Sequence, residues 1–222
     1  MKSLSSNGIS DFIILGGYKV DQIKEYFLNY RLHNSDISVN LKSGEISAFV
    51  QSVEDWNVSI VDTGEHTATG GRLLRAKNLI KSSPFLFTYG DGLSNVRIDL
   101  LSQSHKKSGM TATVTAVRPK GRFGNLTLSE IGDLQAVSKF DEKGDNLQSW
   151  INGGFFLLNE NIFSHINSGD STSFEFETLD HLSRCSQLNA YLHEGFWHAM
   201  DTVRDKIELE SMWQTKAPWK TW

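Results

Sequence analysis

The sequence predicts an α/β protein on a doubly wound sheet. Three observations carry that prediction: short apolar runs end in glycine turns, amphipathic stretches of helical period follow them, and the two kinds of segment alternate through the first half of the chain. The 222 residues are 39% hydrophobic and 11% aromatic, enough for a sizeable core. Residues 12–15, Phe-Ile-Ile-Leu, lie between Asp11 and Gly16-Gly17, the pattern of a buried parallel strand leaving through a glycine turn. From Val20 to Tyr30, Ile23, Tyr26, Phe27 and Tyr30 make one helical stripe while Asp21, Lys24 and Glu25 face away. The same reasoning gives strands at 58–61, 85–89 and 111–117, and a helix over 98–107 stopped by Ser108-Gly109. This alternation argues for a mostly parallel sheet. After Pro119 the texture changes to shorter strands at 126–128, 134–140 and 155–158, with helices returning at 175–184 and 203–213. Residues 1–8 read as the last turn of a helix closed by Asn7-Gly8, or as a frayed arm.

Composition excludes several classes of function. Lys plus Arg number 22 against 26 Asp plus Glu, a formal net charge of −4, which argues against wholesale binding to nucleic acid. Cys185 is the single cysteine and shares helical spacing with Leu179 and Leu182, so packing is favoured over nucleophilic catalysis. The seven histidines show no metal-ligand spacing. The first residues lack the apolar run of a secretory signal or membrane anchor, and the expectation is a cytoplasmic protein.

Chemistry is sought where glycines follow apolar runs. The segment 61–73 follows a strand with small, hydroxylic and glycine residues, then opens into a helix; it lets backbone N–H groups approach an anion or a base, and Arg72 could add a charge-assisted hydrogen bond. It matches neither a phosphate loop nor a dinucleotide turn, so an ordinary glycine turn stays open. The strand at 85–89 delivers Asp91 between Gly90 and Gly92, at the carboxyl end of a strand where ligands collect; it reads as a divalent-cation ligand or as an Asp-Gly turn former. Asp201 precedes the helix at 203–213, where it or Thr202 makes a good N-cap without losing its second oxygen as a metal ligand. Glu142-Lys143 offers both signs of charge, or a solvated surface pair, and Asn152-Gly153-Gly154 offers an amide at a strand entrance, or a turn.

Taken in order, GYKVDQIKEYF (17–27), DWNVSIVDTG (55–64), TGGRL (69–73), FLFTYGDG (85–92), GRFGNL (121–126), INGGFFLLN (151–159), GFWHAMDTVRDK (195–206) and KAPWKTW (216–222) resemble the sugar-nucleotidylyltransferase family over nearly the whole chain. WNVSIVDTG and the terminal APWKTW point to its cytidylyl branch. The resemblance implies one Rossmann-like, doubly wound mixed sheet of the nucleotidyltransferase type, a single domain over 1–222 with a nucleotide-binding half at 1–118 and a sugar-phosphate-binding and C-terminal part at 119–222. It implies nucleotidyl transfer from CTP to α-D-glucose 1-phosphate, giving CDP-glucose and pyrophosphate for deoxysugar and surface-polysaccharide synthesis. Under it, Asp91 and Asp201 hold Mg²⁺, and Thr67, Gly70, Gly71, Arg72 and Gly90 line the nucleotide site. Gly124, Glu142, Lys143, Asn152 and Gly153 cradle the sugar phosphate, with Lys143 neutralising it and acting with Asp91 in catalysis. Homo-oligomers are implied for the intact protein, without nucleic-acid or membrane partners. Gly144 stands where the family follows Glu-Lys with Pro.

The family begins with a strand, a G-G-x-G-T-R-L loop, a K-P-K-P-M segment and a helix, none of which occurs in these 222 residues. Met1 aligns inside that helix, which accounts for a helix end at Asn7-Gly8. The resemblance therefore implies a chain lacking the first strand and signature loop, short by about one βα unit of roughly 30 residues. The lost strand would lie mid-sheet and the lost loop would hold the triphosphate, so little or no cytidylyltransferase turnover is expected of this polypeptide. The alternative function is a catalytically silent remnant or subunit that binds sugar phosphate or assembles with intact copies. A metal-dependent glycosyltransferase would need Asp-x-Asp, and Asp91-Gly92-Leu93 does not match.

Overall fold

One turn of helix, α1 (Lys2–Ser5), opens the chain in the computed structural model, which describes residues 1–50, 53–118, 125–131, 134–141 and 150–222. The expected closure at Asn7-Gly8 is present: Gly8 has φ +84°, and the Gly8 and Ile9 N–H groups donate to the Ser5 and Leu4 carbonyls at 2.9 and 3.2 Å. Packing divides the chain into two units, Met1–Ser82 with Phe163–His181, and Ser83–Ile162 with Leu182–Trp222. The division expected at residue 118 is thus not where the contacts divide. The reason lies in long-range hydrogen bonds: residues 170–172 return to the first unit, bonding Ala68 and Gly70.

In the first unit, β1 (Asp11–Gly16) leads to α2 (Val20–Leu28), entered through Lys19 at φ 56°. The helix predicted to reach Tyr30 breaks at Asn29, whose side chain donates to the Glu25 carbonyl at 3.0 Å, an alternative partner that competes with the helical ladder. A separate turn, α3 (Tyr30–His33), follows. The antiparallel ribbon of β2 (Ser35–Val39) and β3 (Ile46–Val50) was not anticipated. Then β4 (Asn57–Asp62) pairs in parallel with β1 from Asp11↔Asn57 to Gly16↔Asp62, and the helix expected to open from the 61–73 segment is α4 (Thr69–Arg75).

In the second unit, β5 (Phe85–Thr88) and the three-residue β6 (Gly92–Ser94) precede α5 (Ile98–Ser108), which Gly109 ends in the left-handed conformation. Next come β7 (Ala112–Val117), the paired β8 (Asn125–Ile131) and β9 (Leu134–Asp141), and β10 (Ile151–Leu158). A π-helical turn over Phe174–Leu179 runs into α6 (Asp180–Arg184) where one regular helix was expected, and the chain re-enters the second unit at Leu182. It closes with β11 (Leu188–His193), the short β12 (Trp197–Ala199) and α7 (Val203–Thr215). The main sheet runs β11-β7-β10-β5; β11 is parallel to β7, whereas β10 is antiparallel to both its neighbours. The sheet is therefore mixed, as the resemblance implied, and not mostly parallel as the alternation alone argued. In this unit Phe156 and Leu158 of β10, Leu101 of α5, Ile162 and Leu182 are fully buried, each stabilising the fold by about 1.5–3 kcal/mol. Among the described residues no helix is long and apolar enough to cross a membrane.

Candidate active site

The loop after β4 is built on glycines pressed against backbone. Gly70 and Gly71 lie in the first turn of α4, and their N–H groups donate to the Thr172 carbonyl at 2.9 and 3.3 Å, while the Ala68 N–H donates to the Asp170 carbonyl at 2.8 Å. A Cβ on Gly71 would lie 2.6 Å from Asp170 Cα and O, and one on Gly70 would lie 2.9 Å from Thr172 O. These glycines are required by packing, and the N–H groups that the sequence offered to an anion are occupied by protein carbonyls. Thr69 Oγ1 donates to Glu175 at 2.7 Å and accepts from the Phe174 N–H at 2.9 Å, a second tie to the same returning segment. Thr67 is buried in this loop.

Arg72 faces inward to the strand ends. Its Nη1 donates to the Gly16 carbonyl at 3.0 Å and to Thr63 Oγ1 at 2.7 Å, and its Nη2 donates to the Glu65 carbonyl at 3.1 Å. Thr63, wholly buried, passes its own proton to the Gly16 carbonyl at 2.7 Å. Arg72 therefore fastens the ends of β1 and β4 together and shapes the loop from behind. Gly17 makes room for it, since a Cβ there would fall 2.3 Å from Nη1. A groove of 520 Å³ in the same unit, lined by Phe27, Tyr30, Glu54 and Trp56, contains none of the candidate residues.

In the second unit a short ladder joins the segments that carry the two carboxylates. Strands β6 and β12 pair antiparallel with Trp197↔Ser94, His198↔Leu93 and Ala199↔Gly92, and the ladder continues through the Met200 N–H, which donates to the Asp91 carbonyl at 3.0 Å. Asp91 and Asp201 thus leave adjacent chain ends, both exposed. The competing reading of Asp201 as a helix cap falls away: Thr202 caps α7, accepting from the Asp205 N–H at 3.2 Å while Asp205 Oδ2 accepts from the Thr202 N–H at 2.9 Å. Gly90 has open space around its missing Cβ.

The Asn152-Gly153-Gly154 segment is a bulge in β10, where pairing with β7 shifts between Asn152↔Ala116 and Phe156↔Val114. Gly154 sits at φ +75° against the Tyr89 ring, and a Cβ on Gly153 would lie 2.7 Å from Val117 Cγ1. The bulge turns Asn152 outward; its Oδ1 accepts from the Gly154 N–H at 2.8 Å and its Nδ2 donates to the Tyr89 hydroxyl at 3.2 Å. Trp197 Nε1 donates to the Gly153 carbonyl at 2.8 Å, joining this bulge to β12. Tyr89 and Trp197 were missed from sequence as supports of the site; Trp197 lies in a strand too short to show a period. Gly124, Glu142 and Lys143 lie outside the described residues.

Among the described residues no group of three or more His, Cys, Asp or Glu side chains is placed to hold a metal. Two carboxylates do suit Mg²⁺, which is commonly held by one or two carboxylates together with substrate phosphates and retained waters.

No family model matches the chain. A curated relative does: glucose-1-phosphate cytidylyltransferase of Salmonella typhi is 46% identical over 226 residues, spanning 100% of this chain and 85% of the relative. The chain belongs to the glucose-1-phosphate cytidylyltransferase family. Solved structures share the fold of this family member. HddC from Yersinia pseudotuberculosis superposes with a TM-score of 0.64 at 20% identity, over 94% of this chain and 80% of that one. A UDP-glucose pyrophosphorylase complexed with UDP-glucose superposes with a TM-score of 0.59 at 17% identity, over 97% and 84%. At these identities the likeness speaks to fold alone, an α/β nucleotidyltransferase fold.

Proposed function

We propose that the chain's site serves nucleotidyl transfer from CTP to α-D-glucose 1-phosphate, giving CDP-glucose and pyrophosphate, with Mg²⁺ at Asp91 and Asp201. The observation that supports the reading is the β6–β12 ladder, in which the residue before Asp201 bonds the Asp91 carbonyl and Trp197 bonds the Asn152–Gly154 bulge, in a member of the cytidylyltransferase family. A phosphate oxygen of the sugar forms a bond to the α-phosphorus of CTP, and the bond from that phosphorus to the α,β-bridging oxygen breaks in line. No protein nucleophile takes part, so the chain's work is positioning and electrostatics. Lys143 neutralises the incoming sugar phosphate, with Glu142 and Gly124 alongside, and Asn152 and Gly153 orient the sugar. Thr67, Gly70 and Gly71 shape the cytidine loop, Arg72 braces it from behind, and Gly90 leaves space for nucleotide. When bound, Mg²⁺ supplies charge neutralisation at the phosphate oxygens. The product supplies deoxysugar synthesis in the cytoplasm.

The test incubates glucose 1-phosphate with CTP, UTP, dTTP, GTP or ATP in turn and measures nucleotide-sugar and pyrophosphate. The nucleotide preference is the readout, whatever the absolute rate: CDP-glucose formation above all other products, lost on chelation of divalent cations, is expected. A preference for another nucleotide would overturn the reading. Binding of glucose 1-phosphate with no product from any nucleotide would favour a catalytically silent sugar-phosphate-binding chain.

A further inference from the structure

His193 is the last residue of β11 and is 6% exposed. Its Nε2 lies 3.2 Å from both Ser94 Oγ and the Phe196 carbonyl oxygen. A carbonyl only accepts, so Nε2 carries the proton and aims it between these two oxygens. Burial pushes the imidazole pKa down, which keeps the ring neutral with that single N–H. The Phe196 carbonyl also accepts from Ser94 Oγ at 2.8 Å and from the Asn95 N–H at 3.2 Å, and Ser94 Oγ accepts from the Val96 N–H at 3.2 Å. A Cβ on Gly195 would fall 2.6 Å from His193 Cε1 and 2.4 Å from Asn95 Oδ1, so the 195–196 backbone is pressed onto the ring.

This node closes one end of the β6–β12 ladder, and Asp91 and Asp201 leave the other. Three rungs do not fix a register by themselves. A slip of one residue would move Asp201 by about 3.3 Å along Asp91's strand and turn alternate side chains to the opposite face. Mg²⁺–oxygen distances of about 2.1 Å tolerate no such displacement between two ligands of one ion.

We propose that His193 is a positioning residue for the Asp91–Asp201 pair, pinning the register of the strands that carry the two carboxylates through the Phe196 carbonyl and Ser94. The inference rests on the metal reading given under Proposed function. Nothing in it requires His193 to touch substrate or metal.

The test titrates the 222-residue chain with Mn²⁺ alone, following the electron paramagnetic resonance signal of the free ion. His193→Phe keeps the bulk of the ring and deletes the N–H; a weakening of about tenfold is expected, the range seen when groups behind a metal ligand are lost. His193→Gln restores a donor and is expected to recover most of the affinity. His105→Phe is the stability control, since His105 is equally buried but bonds Thr113 and Asn159, away from the β6–β12 ladder; Mn²⁺ affinity should not change. Should His193→Phe not fold, Ser94→Ala carries the test with an expected loss of about fivefold, one neutral hydrogen bond's worth. Wild-type affinity in His193→Phe, or in Ser94→Ala where that variant stands in, overturns the proposal. Loss in both His193→Phe and His193→Gln, or an equal loss in His105→Phe, also overturns it, reducing His193 to packing. A wild-type chain that does not bind Mn²⁺, or binds it unchanged with Asp91→Asn, overturns the metal reading itself and this inference with it.

Discussion

Replacing Gly71 by alanine should destabilise the protein, although alanine is the better helix former. The new Cβ would start 2.6 Å from Asp170 Cα and O. Ordinary contact needs about 3.5 Å, so one backbone must retreat by about 0.9 Å. Neither can move alone, because Ala68, Gly70 and Gly71 are bonded to the Asp170 and Thr172 carbonyls. Overpacking of this kind costs about 1–3 kcal/mol, and stretching one of those hydrogen bonds about 1 kcal/mol more. The helix-propensity gain returns at most about 1 kcal/mol. The net loss is about 2 kcal/mol, which for a chain of this size lowers Tm by roughly 6 °C. Differential scanning calorimetry of Gly71→Ala against Gly90→Ala reads the difference directly. Gly90 has nothing within 4 Å of its missing Cβ, so its variant should keep the wild-type Tm. A Gly71→Ala Tm within about 1 °C of wild type would refute the reasoning.

Three further outcomes are expected. Trp197→Phe deletes the 2.8 Å bond to the Gly153 carbonyl and should cost about 1 kcal/mol in urea unfolding, with glucose 1-phosphate bound several-fold more weakly by isothermal titration. Asp201→Asn should keep the α7 cap, which Thr202 makes, while Mn²⁺ binds about tenfold or more weakly by electron paramagnetic resonance titration; wild-type affinity would remove Asp201 from the metal site. Glu54 accepts from Lys2 Nζ at 2.7 Å and the Tyr30 hydroxyl at 2.6 Å, which lower its pKa from 4.5 to about 2. The stability from that depressed carboxyl is complete above pH 4.5 and is lost as pH falls toward about 2; with Lys2 half-exposed it amounts to about 1 kcal/mol. Urea midpoints of wild type and Glu54→Gln should therefore keep their separation from pH 7 down to about 4.5 and converge as pH falls toward about 2.

The elements that could be read from sequence are those whose signal is contiguous. Phe12 to Leu15 and Phe155 to Leu158 announce strands by unbroken apolar runs, of which only the second is buried and the first half-buried, and Ser108-Gly109 stops α5 where it stands. The ribbon of β2 and β3 escaped because each strand is only five residues long, too short to show a period. The split at residue 82 escaped because it depends on hydrogen bonds between segments distant in sequence.

The sequence alone determined the family, since ordered matches from Gly17 to Trp222 need no geometry to be recognised. It also proposed Asp91, Asp201 and the Asn152-Gly153-Gly154 segment as candidates, each with an equally simple structural explanation. Only the tertiary structure decided among those explanations. It gave the cap of α7 to Thr202, made Asn-Gly-Gly a bulge in β10, and joined Asp91 to the chain before Asp201 through a ladder of three-residue strands. It also turned Arg72 and the α4 N–H groups to protein carbonyls. The Thr202 cap is local, made with Asp205 three residues on; the other decisions are made by hydrogen bonds between segments apart in the chain, and such bonds leave no trace in local period or spacing.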